Sequence, residues 1–318
     1  MKNIRLSKVF IFLGTFFLTM AAFFLLASRL PGKAYRAVIA VWVLIWLGYL
    51  VHLTRMERKV IHPVPGVPRL EVLRNHAEYE PDPKEKKYSY TYELGNEVPP
   101  ILEKYGYSGY LENVGPGSDL LAFRLLDFVC DHFRHGDVAL GPHHRMVDVI
   151  AECEKNGGRT NCRGLSLLLA ALLRMNGIKA RHVTCKPYEE PFCDCHVVVD
   201  CFLPSGKRVM FDPSARLYLK DEKGEPVSLE RFREGLIRGE DFRENPGATY
   251  FGAEYSKEAY FQYMAKNLFR FHAALNYADV KDEGRLGEVE LIPKGYPISS
   301  FPDKRRFVRN PAVFWSEG

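Results

Sequence analysis

Residues 161–214 read NCRGLSLLLAALLRMNGIKARHVTCKPYEEPFCDCHVVVDCFLPSGKRVMFDPS, and the order of elements within this stretch decides the fold. Leu165, Leu168, Leu169 and Leu172 form a helical stripe, while Leu167, Ala170, Ala171 and Leu173 fill the other sides. A helix that is apolar all round is buried, so this one is expected to run through the middle of a domain and to end at Gly177. Residues 178–185 then read as a strand, 186–192 as a loop, 195–203 as a second strand, and 204–207 as the turn into a third strand ending at Asp212. The fold class expected is α+β, a central buried helix followed by an antiparallel sheet. Residues 228–239 and 256–277 have the pattern of amphipathic helices that cover the sheet.

Three residues of the stretch have the order and setting of a thiol nucleophile, its base and the base's orienter: Cys162, His196 and Asp212. A thiol attacks a carbonyl only as thiolate, and a free Cys ionises near ~8.5, so the site must lower that value. Cys162 is expected just ahead of the buried helix, where free backbone N–H groups and the positive dipole end favour an anion. The same N–H groups are placed to receive the oxyanion of a tetrahedral intermediate. Along the second strand His196, Val198 and Asp200 share one face. Asp200 lies about 13 Å from His196 at ~3.3 Å per residue, too far to orient it. A turn centred between Ser205 and Gly206 sets Asp212 opposite Val199, three residues from His196, so a bulge or bend is expected to close that gap.

The run from about Leu120 to Ala215 resembles the transglutaminase-like superfamily. The resemblance rests on Asn161-Cys162-Arg163-Gly164 ahead of a long apolar helix, LLRMNGIKAR at 172–181, HVVV from His196, and Asp212-Pro213-Ser214. It implies a papain-related fold, with Cys162 as nucleophile, His196 as general base and acid, and Asp212 as orienter. It further implies acyl transfer or hydrolysis at amide or peptide bonds of a protein or peptide substrate, through a thioester. The chain departs from the usual pattern at Thr160, where Gly is frequent two before the Cys, and at Val198, where Trp is frequent two after the His. No Trp lies in the body of the domain, only Trp315 near its end. A catalytically silent domain serving as a membrane-tethered binding module is the alternative from another functional class.

Residues 9–28 are twenty without a charge, and 37–53 are seventeen interrupted only by His52. A bilayer core of ~30 Å needs about twenty apolar helical residues, so these read as a two-helix transmembrane hairpin. Residues 1–60 carry nine Lys or Arg against one Glu, a net charge of +8, while the remaining 258 residues carry 35 basic and 38 acidic side chains, a net of −3. Six of those cations flank the hairpin and three lie in its turn, which sets both termini and the large domain on the cytoplasmic side of a multi-pass membrane protein. Membrane lipid is therefore an expected partner. The acidic body, with no Gly-rich phosphate loop and no basic and aromatic interleaving, speaks against nucleic acid.

The expected organisation is a membrane anchor at 1–60, a linker and extension at 61–110, the transglutaminase-like domain at 111–285, and a solvated Pro-rich basic tail at 286–318. Within the domain, Ser118 is the expected N-cap of a helix carrying Leu121, Leu125, Phe128 and His132 on one face and closed by Gly136. Met146, Val149, Ile150 and Cys153 mark the next helix. Tyr260, Tyr263 and Phe271 read as core packing. No cofactor or metal is expected. His143 and His144 lack two further ligands nearby, and Cys185, Cys193 and Cys195 lack a fourth, with Cys201 about 20 Å along the strand from Cys195.

Overall fold

The computed structural model describes residues 15–16, 19–20, 31–57, 68–95, 97–115, 117–141, 145–189, 194–277, 287–296 and 305–317. The chain divides into two compact units, 1–60 and 61–318. In the first, helix α1 (Gly32–Glu57) carries Trp42 and Trp46, and the Phe16 ring packs against both at 4.9 and 5.3 Å. The expected pair of membrane spans finds no support here. Residues 9–28 lie almost wholly outside the described residues, and among the described residues no helix is long and apolar enough to cross a membrane. The run 37–53 falls within α1, whose described side chains stop at Gly48.

The second unit opens with α2 (Arg69–His76), whose Val72 and Leu73 are buried. Ser118 caps α3 (Asp119–His132) by accepting from Leu120 N–H, as its position in the sequence expects. The helix ends before Gly136, at the extended Phe133, and leads into the short strand β1 (Arg134–His135). Helix α4 (Met146–Lys155) buries Met146, Val149, Ile150 and Cys153, the four positions its spacing marks. Strand β2 (Arg159–Thr160) pairs with β1 and hands the chain to α5 (Cys162–Met175), in which every residue from Gly164 to Ala170 is buried.

Next come β3 (Ala180–Lys186), β4 (His196–Phe202) and β5 (Arg208–Phe211), antiparallel to one another, then α6 (Leu229–Arg238), between its Ser228 cap and left-handed Gly239. A two-stranded hairpin, β6 (Thr249–Tyr250) and β7 (Ala253–Glu254), precedes α7 (Lys257–Asn267). The helix expected over 256–277 thus stops halfway. Its second half is β8 (Arg270–Ala274), a central strand paired on one side with β3 and on the other with β9 (Glu288–Leu291). Strand β10 (Arg305–Val308) lies parallel to β9 and α8 (Pro311–Phe314) follows. The six-stranded order is β10-β9-β8-β3-β4-β5.

Both faces of this sheet are covered, which is why β3 and β4 are buried along almost their whole length. One core gathers α3, α4 and α5 against Val199, Cys201, Val209 and Phe211. The other gathers α2, α6 and α7 against Val183, Val198 and Met210. The expected solvated tail belongs to the second core: Phe314 and Trp315 are buried, and Trp315 meets Phe271 edge-on at 5.0 Å. The apolar area of two large aromatic rings outweighs the cost of fixing a short segment. Beneath them lies a closed ionic group, in which Arg181 and Arg208 both donate to Asp200, and Arg181 rests 4.1 Å from the centre of the Tyr90 ring.

Candidate active site

The N-terminus of α5 is built to hold a thiolate. Asn161 caps the helix, its side-chain oxygen accepting from Gly164 N–H at 3.0 Å, so Cys162 becomes the first helical residue with the N–H groups of the first turn around it. Ser166 donates to the Val197 carbonyl at 2.8 Å and ties that turn to β4. Gly164 has no room for a side chain: a Cβ there would fall 2.9 Å from Thr160 Cγ2 and nearer still to Oγ1. Gly164→Ala is expected to lower stability by about 1–3 kcal/mol by overpacking and to slow Cys162 alkylation with it. A urea midpoint equal to that of the parent chain would contradict this.

His196 opens β4 and is fully buried. Its Nε2 lies 2.6 Å from Asp212 Oδ2. The β4–β5 register pairs Val199 with Phe211, which brings Asp212 opposite Val198. The tight turn, with Gly206 N–H donating to Leu203 O, is thus one residue shorter than expected. Asp212 falls on the same face as His196 and diagonal to it, within reach of a side chain, so no bulge is needed. Asp212 is held in turn: its Oδ2 accepts from the Tyr260 hydroxyl at 2.9 Å and its Oδ1 from Ser214 N–H at 3.0 Å. Asp200, the carboxylate excluded on reach, is committed to Arg181 and Arg208.

The electrostatics follow from that geometry. Burial opposes the Cys162 thiolate, but the neighbouring His135 and His196 side chains, the His196 charge and the Val197 N–H outweigh it and bring the thiol down to about 6. Burial likewise opposes a charged His196, yet the Asp212 charge and hydrogen bond, helped by Cys162, push it up to about 10. Burial raises Asp212 too, and His196, Tyr260 and Ser214 together hold it below its ordinary value. The resting pair is therefore thiolate and imidazolium. His196 Nδ1 forms no hydrogen bond of good geometry among the described residues, although the ring is near enough to shift the thiol. Such bonds commonly tighten only when substrate is present.

A pH dependence is expected from these values. Below about 6 the thiolate is lost to protonation, and above about 10 His196 has no proton to give a leaving group, so acyl transfer should rise through the first value and fall through the second. Rates of substrate turnover against pH check this, and an acid limb near ~8.5, the range of an ordinary thiol, would contradict it.

Four side chains at the site had no functional signal in the sequence. Tyr260 carried only the mark of a core aromatic. His135, on β1, is among the groups that lower the Cys162 thiol. Phe251 lies 5.1 Å from His135 and 5.6 Å from His196, ring centre to ring centre, with Tyr263 completing the wall at 5.3 Å from His196. Phe251 sits at φ +49 beside Gly252 at φ +87, at the tip of the two-residue β6–β7 hairpin. Both positive φ values belong to a type I′ turn, where Asn or Asp usually stands, so the bulky ring carries about 1–2 kcal/mol of backbone strain. These aromatics occupy the neighbourhood of the histidine that the absent Trp left open. Among the described residues no three His, Cys, Asp or Glu gather as a metal site; Cys193, His143 and His144 lie outside them.

Residues 115–213, just under a third of the chain, match the family model of the transglutaminase-like superfamily, a likeness that in general terms supports a thiol-dependent hydrolase or transferase. No curated protein matches the chain. Among solved structures, a protein from Cytophaga hutchinsonii provisionally called a cysteine protease is 15% identical, covering 57% of this chain and 64% of that one at a TM-score of 0.30. A protein from Parabacteroides distasonis provisionally called a protease is 11% identical, covering 41% of this chain and 28% of that one at a TM-score of 0.26. The chain thus spans less than two thirds of either.

Proposed function

We propose that this protein is a membrane-anchored acyl transferase or hydrolase that cleaves amide or peptide bonds of a protein or peptide through a thioester on Cys162. The observation that carries the reading is the Cys162, His196 and Asp212 arrangement, with an imidazole fixed at 2.6 Å by a buried carboxylate and a thiol brought down to about 6 at a helix N-terminus. Cys162 Sγ attacks the carbonyl carbon, and the carbonyl electrons move onto oxygen. His196 gives its proton to the departing amine, and water or a second amine, deprotonated by His196, then attacks the thioester. Asp212 holds the ring and its charge throughout.

Anchoring to lipid rests on the apolar runs at 9–28 and 37–53 and on the basic residues around them. The exposed Val41, Leu44, Ile45 and Leu47 on α1 fit a helix in contact with lipid. The same cations favour a catalytic domain on the cytoplasmic side.

The test is a broad thiol-reactive probe applied to the full chain, with peptide mapping. Selective labelling of Cys162 that is lost in His196→Ala, together with turnover of a peptide amide library that is lost in Cys162→Ser, supports the enzyme. Even labelling of all seven thiols would overturn it in favour of a silent binding module. Retention of the protein in alkali-washed membranes, lost when residues 1–60 are removed, tests the anchor.

A further inference from the structure

The nitrogen that has to work in the triad is sealed. His196 Nε2 is committed to Asp212, so every proton the imidazole exchanges with thiol, amine or water has to pass through Nδ1. That atom is buried, with no hydrogen-bond partner among the described residues, in a side chain only 1% exposed. A leaving amine cannot take a proton from a nitrogen that nothing approaches, so part of what covers the ring has to move.

Two aromatic rings stand edge-on to the imidazole, Tyr263 at 5.3 Å and Phe251 at 5.6 Å between ring centres. They are held differently. Tyr263 belongs to α7, between the buried Tyr260 and Met264, and the Lys266 ammonium covers it at 5.0 Å from the ring centre. Phe251 is at the tip of the β6–β7 hairpin, whose strands pair with each other and with no other strand among the described residues. Gly252, Ala253 and Glu254 are exposed beside it, while the base of the hairpin is tied to the loop after Asp212 by Thr249 N–H donating to Ala215 O at 2.8 Å. What holds the tip down is the ring, which besides His196 meets Tyr263 edge-on at 5.2 Å and His135 at 5.1 Å. These aromatic contacts favour the closed hairpin, and the left-handed Phe251 backbone at φ +49 opposes it. Lifting the ring frees the turn to relax, which brings the open state closer in free energy to the closed one.

We propose that the β6–β7 hairpin is a flap latched by Phe251 on His196, and that substrate reaches the histidine only after this ring lifts, turning on the base held at Thr249. Phe251 is thus a gating residue for the site and takes no part in bond making. The inference rests on the enzymatic reading, because a sealed Nδ1 matters only where His196 moves protons. Closed, the flap keeps water from the imidazole; open, it gives the leaving amine access to Nδ1.

The test is hydrogen exchange at His196 Nδ1, followed in nitrogen-15 spectra of the full chain, for the parent and for Phe251→Asn, which suits the left-handed turn and lacks the ring. The expected result is exchange about tenfold faster or more in Phe251→Asn, as for a site whose local opening has become easier. A rate equal to the parent's overturns the proposal. A second measurement needs no variant: native-state exchange of the parent in low urea. A proton released by local opening exchanges with little urea dependence, whereas one released by global unfolding carries the steep dependence of the core strands. The Nδ1 proton should show the weak dependence together with the amides of 249–254, and an Nδ1 proton that follows the β4 amides overturns the flap. Neither readout needs turnover. An intact flap over a Cys162 that alkylates as an ordinary thiol would defeat the enzymatic reading alone, and an Nδ1 proton exchanging unhindered in a chain that turns over peptide amide would defeat the flap alone.

Discussion

Asp212→Asn is expected to leave the domain folded and to cut acyl transfer by about 10³–10⁴-fold, the scale on which loss of the orienting carboxylate acts in triads of this kind. The amide keeps the size of Asp212 and still meets the Tyr260 hydroxyl and the Ser214 N–H, so packing changes little. The charge is what disappears. His196 is fully buried, and burial favours its neutral form; the Asp212 charge heads the effects that oppose it. Without that charge the ring loses its proton near neutrality, the Cys162 thiolate loses its counter-ion, and the thiol moves back toward its ordinary range. Two measurements check this together: turnover, and iodoacetamide alkylation at pH 7, which should slow by more than tenfold. Retention of a tenth of the parent's turnover would show that Asp212 is not the orienter.

Asp200→Ala should do the opposite, damaging the fold rather than the chemistry. Arg181 is fully buried and Arg208 is 20% exposed at its side chain; both donate to Asp200, and Arg208 also reaches Glu230. Removing one member of a buried ionic group leaves uncompensated charge at a cost of about 3–5 kcal/mol. That is a large share of the 5–15 kcal/mol a domain usually has. Tyr90, Phe314 and Trp315 pack around the Arg181 guanidinium, so the damage should reach the C-terminal segment. Thermal and urea unfolding of the domain would show it, and a shift no larger than about 0.5 kcal/mol, the scale of a surface change, would refute it. The double variant Asp200→Leu with Arg181→Met should recover part of the loss, since apolar groups of similar size can replace a buried ion pair.

These two carboxylates lie twelve residues apart in one hairpin, and ruling one out needed only the rise along the strand. Asp200 was excluded at sequence level by a distance along β4 that no side chain can span. Selecting Asp212 was harder, because a one-residue difference in the Leu203–Gly206 turn shifts every pairing beyond it, and turn length is set by backbone geometry that residue types mark loosely. The same looseness misplaced the second half of the 256–277 segment. Phe271 continues a plausible helical stripe, but pairing with β3 and β9 on both sides makes 270–274 a central strand with all but one of its residues buried. The C-terminal segment was read as solvated because its charge and prolines dominate locally, whereas two aromatic rings decide its place.

The sequence by itself determined the central helix, the antiparallel strands after it, and the identity of Cys162, His196 and Asp212 as candidates, because each depends on local periodicity, a cap or a short spacing. What only the tertiary structure decided is everything that touches those three from a distance. Tyr260 meets Asp212 from 48 residues away, and Phe251 packs on both His135 and His196 from a separate element. No local pattern marks such residues, since a tyrosine in a helix stripe, a histidine after a helix and a phenylalanine in a tight turn are ordinary until long-range pairing brings them to one site.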